Sequence, residues 1–281
     1  MLPRLDARRS QVATLQETLR GPILWGMRKS IFITGAAGGF GRATAARFAA
    51  AGYFLGLFDV DAEGLHELKA IYGSNCYTQR LDVSDAEDCR RAVTAFGEQT
   101  QGRMDILLNN AGIMRVGDFE DVPLAEQHRL IDINLKGTMN PTYHAYPLLK
   151  AAPVARVINL GSASALHGNP ELVAYSLSKR AINSFTESLD IAWRKDDIHV
   201  CDINPMYART RMTTDVQDQL RRLPDSGIKL TGSDVAEAIY RATSSKRVHH
   251  YVGTDTRVFA ALGGIVPFRV RRYLLRKVIG Y

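Results

Sequence analysis

Three side chains in the second half of the chain have the types and spacing for proton transfer to or from a hydroxyl or carbonyl oxygen: Ser162, Tyr175 and Lys179. Tyr175 and Lys179 are four residues apart in Tyr175-Ser176-Leu177-Ser178-Lys179, so on a helix they share one face. A free phenol, with a pKa of about 10, exchanges protons poorly near neutrality. A neighbouring ammonium stabilises the phenolate and lowers that value, towards the range in which general acid–base catalysis works. Ser162 lies 13 residues before Tyr175 at the end of an apolar strand-like run, where its hydroxyl can hydrogen-bond a substrate oxygen. Each residue alone has an ordinary explanation, since Tyr/Lys pairs four apart commonly pack on helix surfaces and strand-end serines commonly cap turns. Their coincidence downstream of a nucleotide-type turn favours chemistry.

That turn is Thr34-Gly35-Ala36-Ala37-Gly38-Gly39-Phe40-Gly41, between the strand-like Ser30–Thr34 and the helix-like Arg42–Ala51. Glycines at a strand-to-helix turn let the backbone approach a pyrophosphate, and the helix N-terminus supplies N–H groups and positive potential. Asp59 ends the next strand-like run, 18 residues beyond Gly41, near the spacing at which a carboxylate accepts hydrogen bonds from an adenosine ribose. It would also repel a 2′-phosphate. No cation stands just before Gly39 or just after Asp59, where Gly38 and Val60 lie. NAD(H) is therefore favoured over NADP(H), with Arg42 the one cation able to reach the site.

The elements that must carry these groups alternate. Strand-like runs at Ser30–Thr34, Tyr53–Asp59, Cys76–Asp82, Met104–Asn109, Val154–Gly161, Ile198–Asn204 and His250–Gly253 are separated by amphipathic, helix-like segments. This is the pattern of βαβ units in an α/β fold with a doubly wound parallel sheet of about seven strands and helices on both faces. Ser84-Asp85-Ala86-Glu87 has the form of a capping box, and long helices are predicted over 123–150 and 172–195. Three parts are expected: an extension at 1–29, flexible or the product of a start upstream of Met27, a single nucleotide-binding and catalytic domain at 30–254, and a basic amphipathic tail at 255–281.

Composition agrees with a soluble globular protein: 281 residues, 46% hydrophobic and 23% charged. The formal charge of +7 sits in the ends. Residues 1–29 carry six basic against two acidic side chains and residues 241–281 nine against one, whereas residues 30–240 carry 21 against 26. A nucleic-acid-binding body would carry the excess itself, so no nucleic-acid partner is expected. Three scattered cysteines suit a reducing compartment. The apolar run Val258–Phe268 is shorter than the 18–20 or so residues a membrane span needs. The expected location is cytoplasmic, with peripheral contact at the inner membrane surface left open by the tail, where Val270, Tyr273, Leu274 and Val278 would form one stripe among five cations.

From about Ser30 to Gly253 the chain resembles the short-chain dehydrogenase/reductase family, in its shorter, single-domain branch. The turn residues Thr34, Gly35, Gly39, Phe40 and Gly41, the pair Asp82-Val83, the strand-end run Asn109-Asn110-Ala111-Gly112, the helix residue Asn134, and Ser162, Tyr175 and Lys179 occur in the family's order. The resemblance implies a Rossmann-like sheet and an NAD(P)-dependent oxidoreductase. Tyr175 would exchange the proton, Ser162 hold the substrate oxygen, Lys179 bind the nicotinamide ribose and tune Tyr175, and Asn134 hold a relay water. Cofactor contacts would come from the turn, Asp59, Asp82, Val83, Asn110, Ala111, Gly112, Tyr175, Lys179, Pro205 and Thr210. The family's usual glycine after Pro205 is here Met206, expected to shape the substrate pocket beside Ser162 and Tyr175. The segment 206–230 resembles the family's variable substrate lid. A small alcohol or carbonyl compound, lipophilic if the tail meets membrane, is the expected substrate, and a homodimer or homotetramer built on the two long helices the expected assembly. Neither a metal-dependent dehydrogenase nor a bound metal is expected. The rivals are a nucleotide-sensing or scaffold protein without turnover, and an NADPH-dependent 3-oxoacyl ketoreductase.

Overall fold

The computed structural model describes residues 28–206, 230–263 and 266–279. The predicted strands appear as β1 (Ser30–Thr34), β2 (Phe54–Asp59), β3 (Cys76–Arg80), β4 (Ile106–Asn109), β5 (Ala155–Leu160), β6 (Ile198–Pro205) and β7 (His249–Val252). All pair in parallel, in the order β3-β2-β1-β4-β5-β6-β7. The direction of winding reverses between β1 and β4, and a ligand crevice opens beyond the carboxyl ends of strands at such a point.

Because successive strand side chains point to opposite faces, the sheet separates its apolar residues into two layers. Ile31, Ile33, Leu55, Leu57, Leu108, Ile158 and Ile203 share one layer. Phe32, Phe54, Phe58, Leu107, Val157 and Val200 share the other. The first is covered by α1 (Gly39–Ala50), α2 (Ala62–Tyr72) and α7 (Gly232–Ala242), which contribute Phe48, Leu68 and Ile239. The second meets α3 (Ala86–Gln99) and α5 (Gly137–Lys150), with Phe96 and Leu149. Phe32 stacks on Phe58 with ring centroids 3.8 Å apart.

Several predicted boundaries move. Tyr53, Leu81, Asp82, Met104, Asp105, Val154 and Gly161 fall outside the strands, β6 runs on through Pro205, and β7 starts at His249 and ends before Gly253. The first helix starts at Gly39, ahead of Arg42. Ser84 does not cap α3: its hydroxyl donates to Asp82, and Asp85 caps the helix by accepting from the N–H groups of Glu87 and Asp88. A capping box closes instead at Thr231 and Asp234 ahead of α7.

The run expected as one helix over 123–150 is divided into α4 (Leu124–Ile131), a π-helical turn at Asp132–Lys136, and α5. The helix that carries Tyr175 and Lys179 is α6 (Val173–Trp193). Beyond β7 come α8 (Thr254–Gly263) and α9 (Phe268–Ile279).

Candidate active site

The ends of β1 and β4 are bound together at the reversal. The Thr34 hydroxyl oxygen accepts the N–H groups of Asn110 (3.0 Å) and Ala111 (3.1 Å). The Asn110 amide donates in turn to the carbonyls of Thr34 (2.9 Å) and Gly35 (2.8 Å). Gly35 has φ +64°, and a Cβ on Gly41 would stand 2.2 Å from the Gly35 carbonyl oxygen. The turn therefore closes tightly only with glycine at Gly41, and Gly35 fits the left-handed backbone at its start. The N-cap of α1, Gly38, supplies no capping side chain, and the first turn holds no acid. Such a helix start keeps N–H groups and positive potential for an anion. A further buried acceptor, Oδ1 of Asn110, has no hydrogen-bond partner among the described residues. These features fit a dinucleotide.

Asp59 closes the rim. One carboxylate oxygen accepts the Ala37 N–H at 2.9 Å and the other the Asp61 N–H at 3.0 Å. Arg42 donates to the Ala37 carbonyl at 2.8 Å and pairs with Glu67 at 2.6 Å. Asp82 accepts both the N–H and the hydroxyl of Ser84, which hold its carboxyl below the usual carboxylate range. Val83 is buried in one apolar layer and Phe40 packs against the other.

Asn134 sits in the π-helical turn, fully buried. Its Oδ1 accepts the Ile113 N–H at 2.8 Å and its Nδ2 donates to the Ile113 carbonyl at 2.9 Å and to the Ser178 hydroxyl at 3.2 Å. Ser178 donates to the Tyr175 carbonyl at 2.8 Å, so Asn134 and α6 are linked one turn from the phenol. A Cβ on Gly112 would lie 3.2 Å from Asn134 Oδ1 and 3.7 Å from Lys179 Nζ, which places all three at one spot. Lys179 Nζ donates to the Leu160 carbonyl at 2.8 Å and lies 5.6 Å from the centre of the Tyr175 ring. Burial lowers its pKa to about 8.

Ser162 follows β5 and is nearly buried. Its Oγ accepts the Ser164 N–H at 3.1 Å, and its own N–H donates to Asn204 Oδ1 at 3.0 Å. Pro205 ends β6 and Met206 follows it, partly exposed. Thr210 and the lid positions from Tyr207 to Leu220 lie outside the described residues. Two side chains that the motifs did not single out hold the site: Ser178, between Tyr175 and Asn134, and Asn204, on the main chain of Ser162. Asn204 is one of three polar residues in β6, with His199 and Asp202, so its type alone did not mark it. Among the described residues no group of three His, Cys, Asp or Glu side chains is arranged to hold a metal, and no helix is long and apolar enough to cross a membrane.

The family model for short chain dehydrogenase matches residues 29–221. The chain is 36% identical over 194 residues to the oxidoreductase UcpA of Salmonella typhimurium, covering 68% of this chain and 73% of that one. It is 33% identical over 224 residues to sulfoacetaldehyde reductase 2 of Chromohalobacter salexigens, covering 78% and 83%. Among solved structures it resembles 3-ketoacyl-(acyl-carrier-protein) reductase from Brucella melitensis complexed with NADH, with 28% identity and a TM-score of 0.72, covering 80% of this chain and 96% of that one.

Proposed function

The chain belongs to the short-chain dehydrogenase/reductase family, and from that premise we propose that it transfers a hydride between NAD(H) and a lipophilic alcohol or ketone, with Tyr175 as acid/base. The observation that carries the reading is the placement of a buried Lys179 beside the Tyr175 ring, on a helix tied to Asn134 through Ser178.

In the oxidising direction the Tyr175 oxygen takes the proton of the substrate hydroxyl, and in the reducing direction it returns it. The Lys179 ammonium favours the phenolate by charge at short range. Ser162 already accepts a hydrogen bond from the Ser164 N–H, which leaves its own proton to donate to the substrate oxygen. The amide of Asn134 is engaged at both ends, so the group it offers a relay water is its main-chain carbonyl, which also accepts the Thr138 hydroxyl at 2.8 Å. The dinucleotide would be held by the turn from Thr34 to Gly41, by Asp59, Asp82 and Val83, by Asn110 to Gly112, by Tyr175 and Lys179, and by Pro205 and Thr210. When bound, the nicotinamide supplies the hydride donor or acceptor.

Preference for NAD(H) rests on the Asp59 carboxylate and on Arg42, whose charge is matched by Glu67. Met206, where the family usually has glycine, would point away from the nicotinamide or narrow the substrate pocket. Exposed apolar residues on α5 and α6 suit a homodimer or homotetramer, the basic α9 suits the inner surface of the membrane, and the free cysteines Cys76, Cys89 and Cys201 suit the reducing cytoplasm. The Brucella melitensis neighbour supports keeping a 3-oxoacyl substrate as the second reading.

The test is turnover with NAD(H) and NADP(H) of a panel of long-chain secondary alcohols, their ketones, a 3-oxoacyl thioester and sulfoacetaldehyde, with Tyr175→Phe as control. NAD-linked oxidation of an apolar alcohol, lost by about 10³-fold or more in the variant, is the expected result. NADPH-linked reduction of the thioester alone would move the assignment to the second reading. Tight NAD binding without turnover would make the protein a sensor.

A further inference from the structure

Asp202 and Asn204 are two apart on β6, so their side chains lie on the same face of the strand, and both are fully buried. Asn204 Oδ1 accepts the Ser162 N–H, and a Cβ on Gly161 would come within 2.2 Å of that oxygen. Only a glycine before Ser162 lets the amide approach so closely. The other end of the Asn204 amide donates to the Asp202 carboxylate. Asp202 stands directly opposite His249 in the β6–β7 register, and His249 Nδ1 lies 2.9 Å from its carboxylate. His249 Nε2 faces Glu187 of α6 at 3.1 Å. The imidazole thus sits between two carboxylates, and the Asp202 hydrogen bond raises its pKa.

A buried carboxylate and amide are costly unless hydrogen-bonded, and an asparagine left to itself can present either its oxygen or its NH₂ group. Burial raises the Asp202 pKa, opposed by the hydrogen bonds from His249 and Asn204 that hold the charged form; as an acceptor-only carboxylate it takes the NH₂ end of Asn204 and turns Oδ1 towards Ser162. His249 in turn supplies the donor that Asp202 needs.

We propose that Asn204, oriented by Asp202 and His249, is a positioning residue that fixes the main chain of Ser162 and so aims its hydroxyl at the substrate oxygen. The inference rests on the role given to Ser162 above. No part of the pattern belongs to the motifs through which the chain resembles its family.

The test uses Asn204→Ala, His249→Ala and His249→Asn, each alone and combined with Ser162→Ala. His249→Asn keeps an N–H donor for Asp202. Hydrogen exchange of the segment 158–166 is followed without substrate, and turnover is followed with the best alcohol of the panel. Loss of one anchoring hydrogen bond should lower kcat about 10-fold in Asn204→Ala and His249→Ala, leave the Kd for NAD unchanged and speed exchange across 158–166. His249→Asn should recover to within about two-fold of the parent. In the Ser162→Ala background neither change should lower kcat further. Unchanged exchange, or losses that multiply with that of Ser162→Ala, would overturn the proposal. Full turnover in Ser162→Ala alone would remove the role of Ser162 and this proposal with it, a result read without any change at Asn204. Should Asn204→Ala fail to fold, the partly exposed His249 variants carry the test.

Discussion

Lys179 places its Nζ 5.6 Å from the centre of the Tyr175 ring while one of its N–H groups is held by the Leu160 carbonyl. Burial disfavours the Lys179 charge, and its pKa falls from 10.5 to about 8. Between these values the folded protein binds fewer protons at this site than the unfolded chain. Stability contributed by the site therefore rises with pH across that window, by roughly 3 kcal/mol at about 1.4 kcal/mol per pH unit. Below pH 8 the full cost of burying the ammonium is present. Urea unfolding of the parent and of Lys179→Met from pH 8 to pH 10.5 checks this: Lys179→Met should be the more stable at pH 8 relative to its position at pH 10.5, and parallel curves would refute the linkage.

Asp59 has two duties that a single substitution can separate. It accepts the Ala37 N–H and so shapes the turn, and under the proposed preference for NAD(H) its charge would oppose a 2′-phosphate. Asp59→Asn keeps an acceptor for Ala37 and removes the charge. Fluorescence titration should show NADPH affinity rising about 10-fold and NADH affinity falling by a similar factor, with little change in Tm. An unchanged ratio would mean that the discrimination lies elsewhere.

Large apolar side chains stand exposed on two neighbouring helices: Met139 and Tyr143 on α5, Leu177 and Ile191 on α6, with Tyr143 and Ile191 more than three-quarters exposed. Leu177 also lines a cavity of about 480 Å³ with Val173 and Arg180. The proposed assembly would bury these side chains between copies of the chain. Sedimentation should give a dimer or tetramer for the parent and a monomer for Leu177→Glu combined with Ile191→Glu. A monomeric parent would end this reading.

On α9, Val270 and Tyr273 are exposed beside Arg269, Arg272, Arg276 and Lys277, with no acidic residue in the helix. Polybasic attraction contributes about 1 kcal/mol per cation near an anionic surface and is screened by salt. Co-sedimentation with phosphatidylserine-containing vesicles should be strong at low salt, weak at about 0.5 M salt, and lost on deletion of residues 266–281. Binding that survives the deletion would place the contact elsewhere.

What could be read beforehand follows the physics of each signal. The near-continuous apolar runs of β1 and β2 are what a parallel sheet covered on both faces demands, so the succession of strands along the chain was legible. The tight glycine turn and the placing of Lys179 beside the Tyr175 ring were legible because backbone clearance and the helical period restrict what those spacings allow. The cap of α3 was misplaced by one residue because Ser84 and Asp85 are both good capping residues, and Asp82 competes for the Ser84 hydroxyl. The π-helical turn was invisible, since it arises from the grip of Asn134 on Ile113, 21 residues away. Asn204 was hidden for the same reason: its partner is 42 residues distant.

That π-helical turn sets a phase. Each residue of a helix advances the chain by about 100°, so the five residues from Asp132 to Lys136 fix the azimuth of everything that follows on α5. Asn134 faces the interior beside Ile113 in the loop after β4, whereas Met139 and Tyr143 face outwards. Deleting one residue between them would leave one of these two aims intact only by swinging the other a quarter-turn or more away. The length of this short segment therefore couples the inward and outward surfaces of the molecule, and an insertion or deletion there cannot be neutral to both.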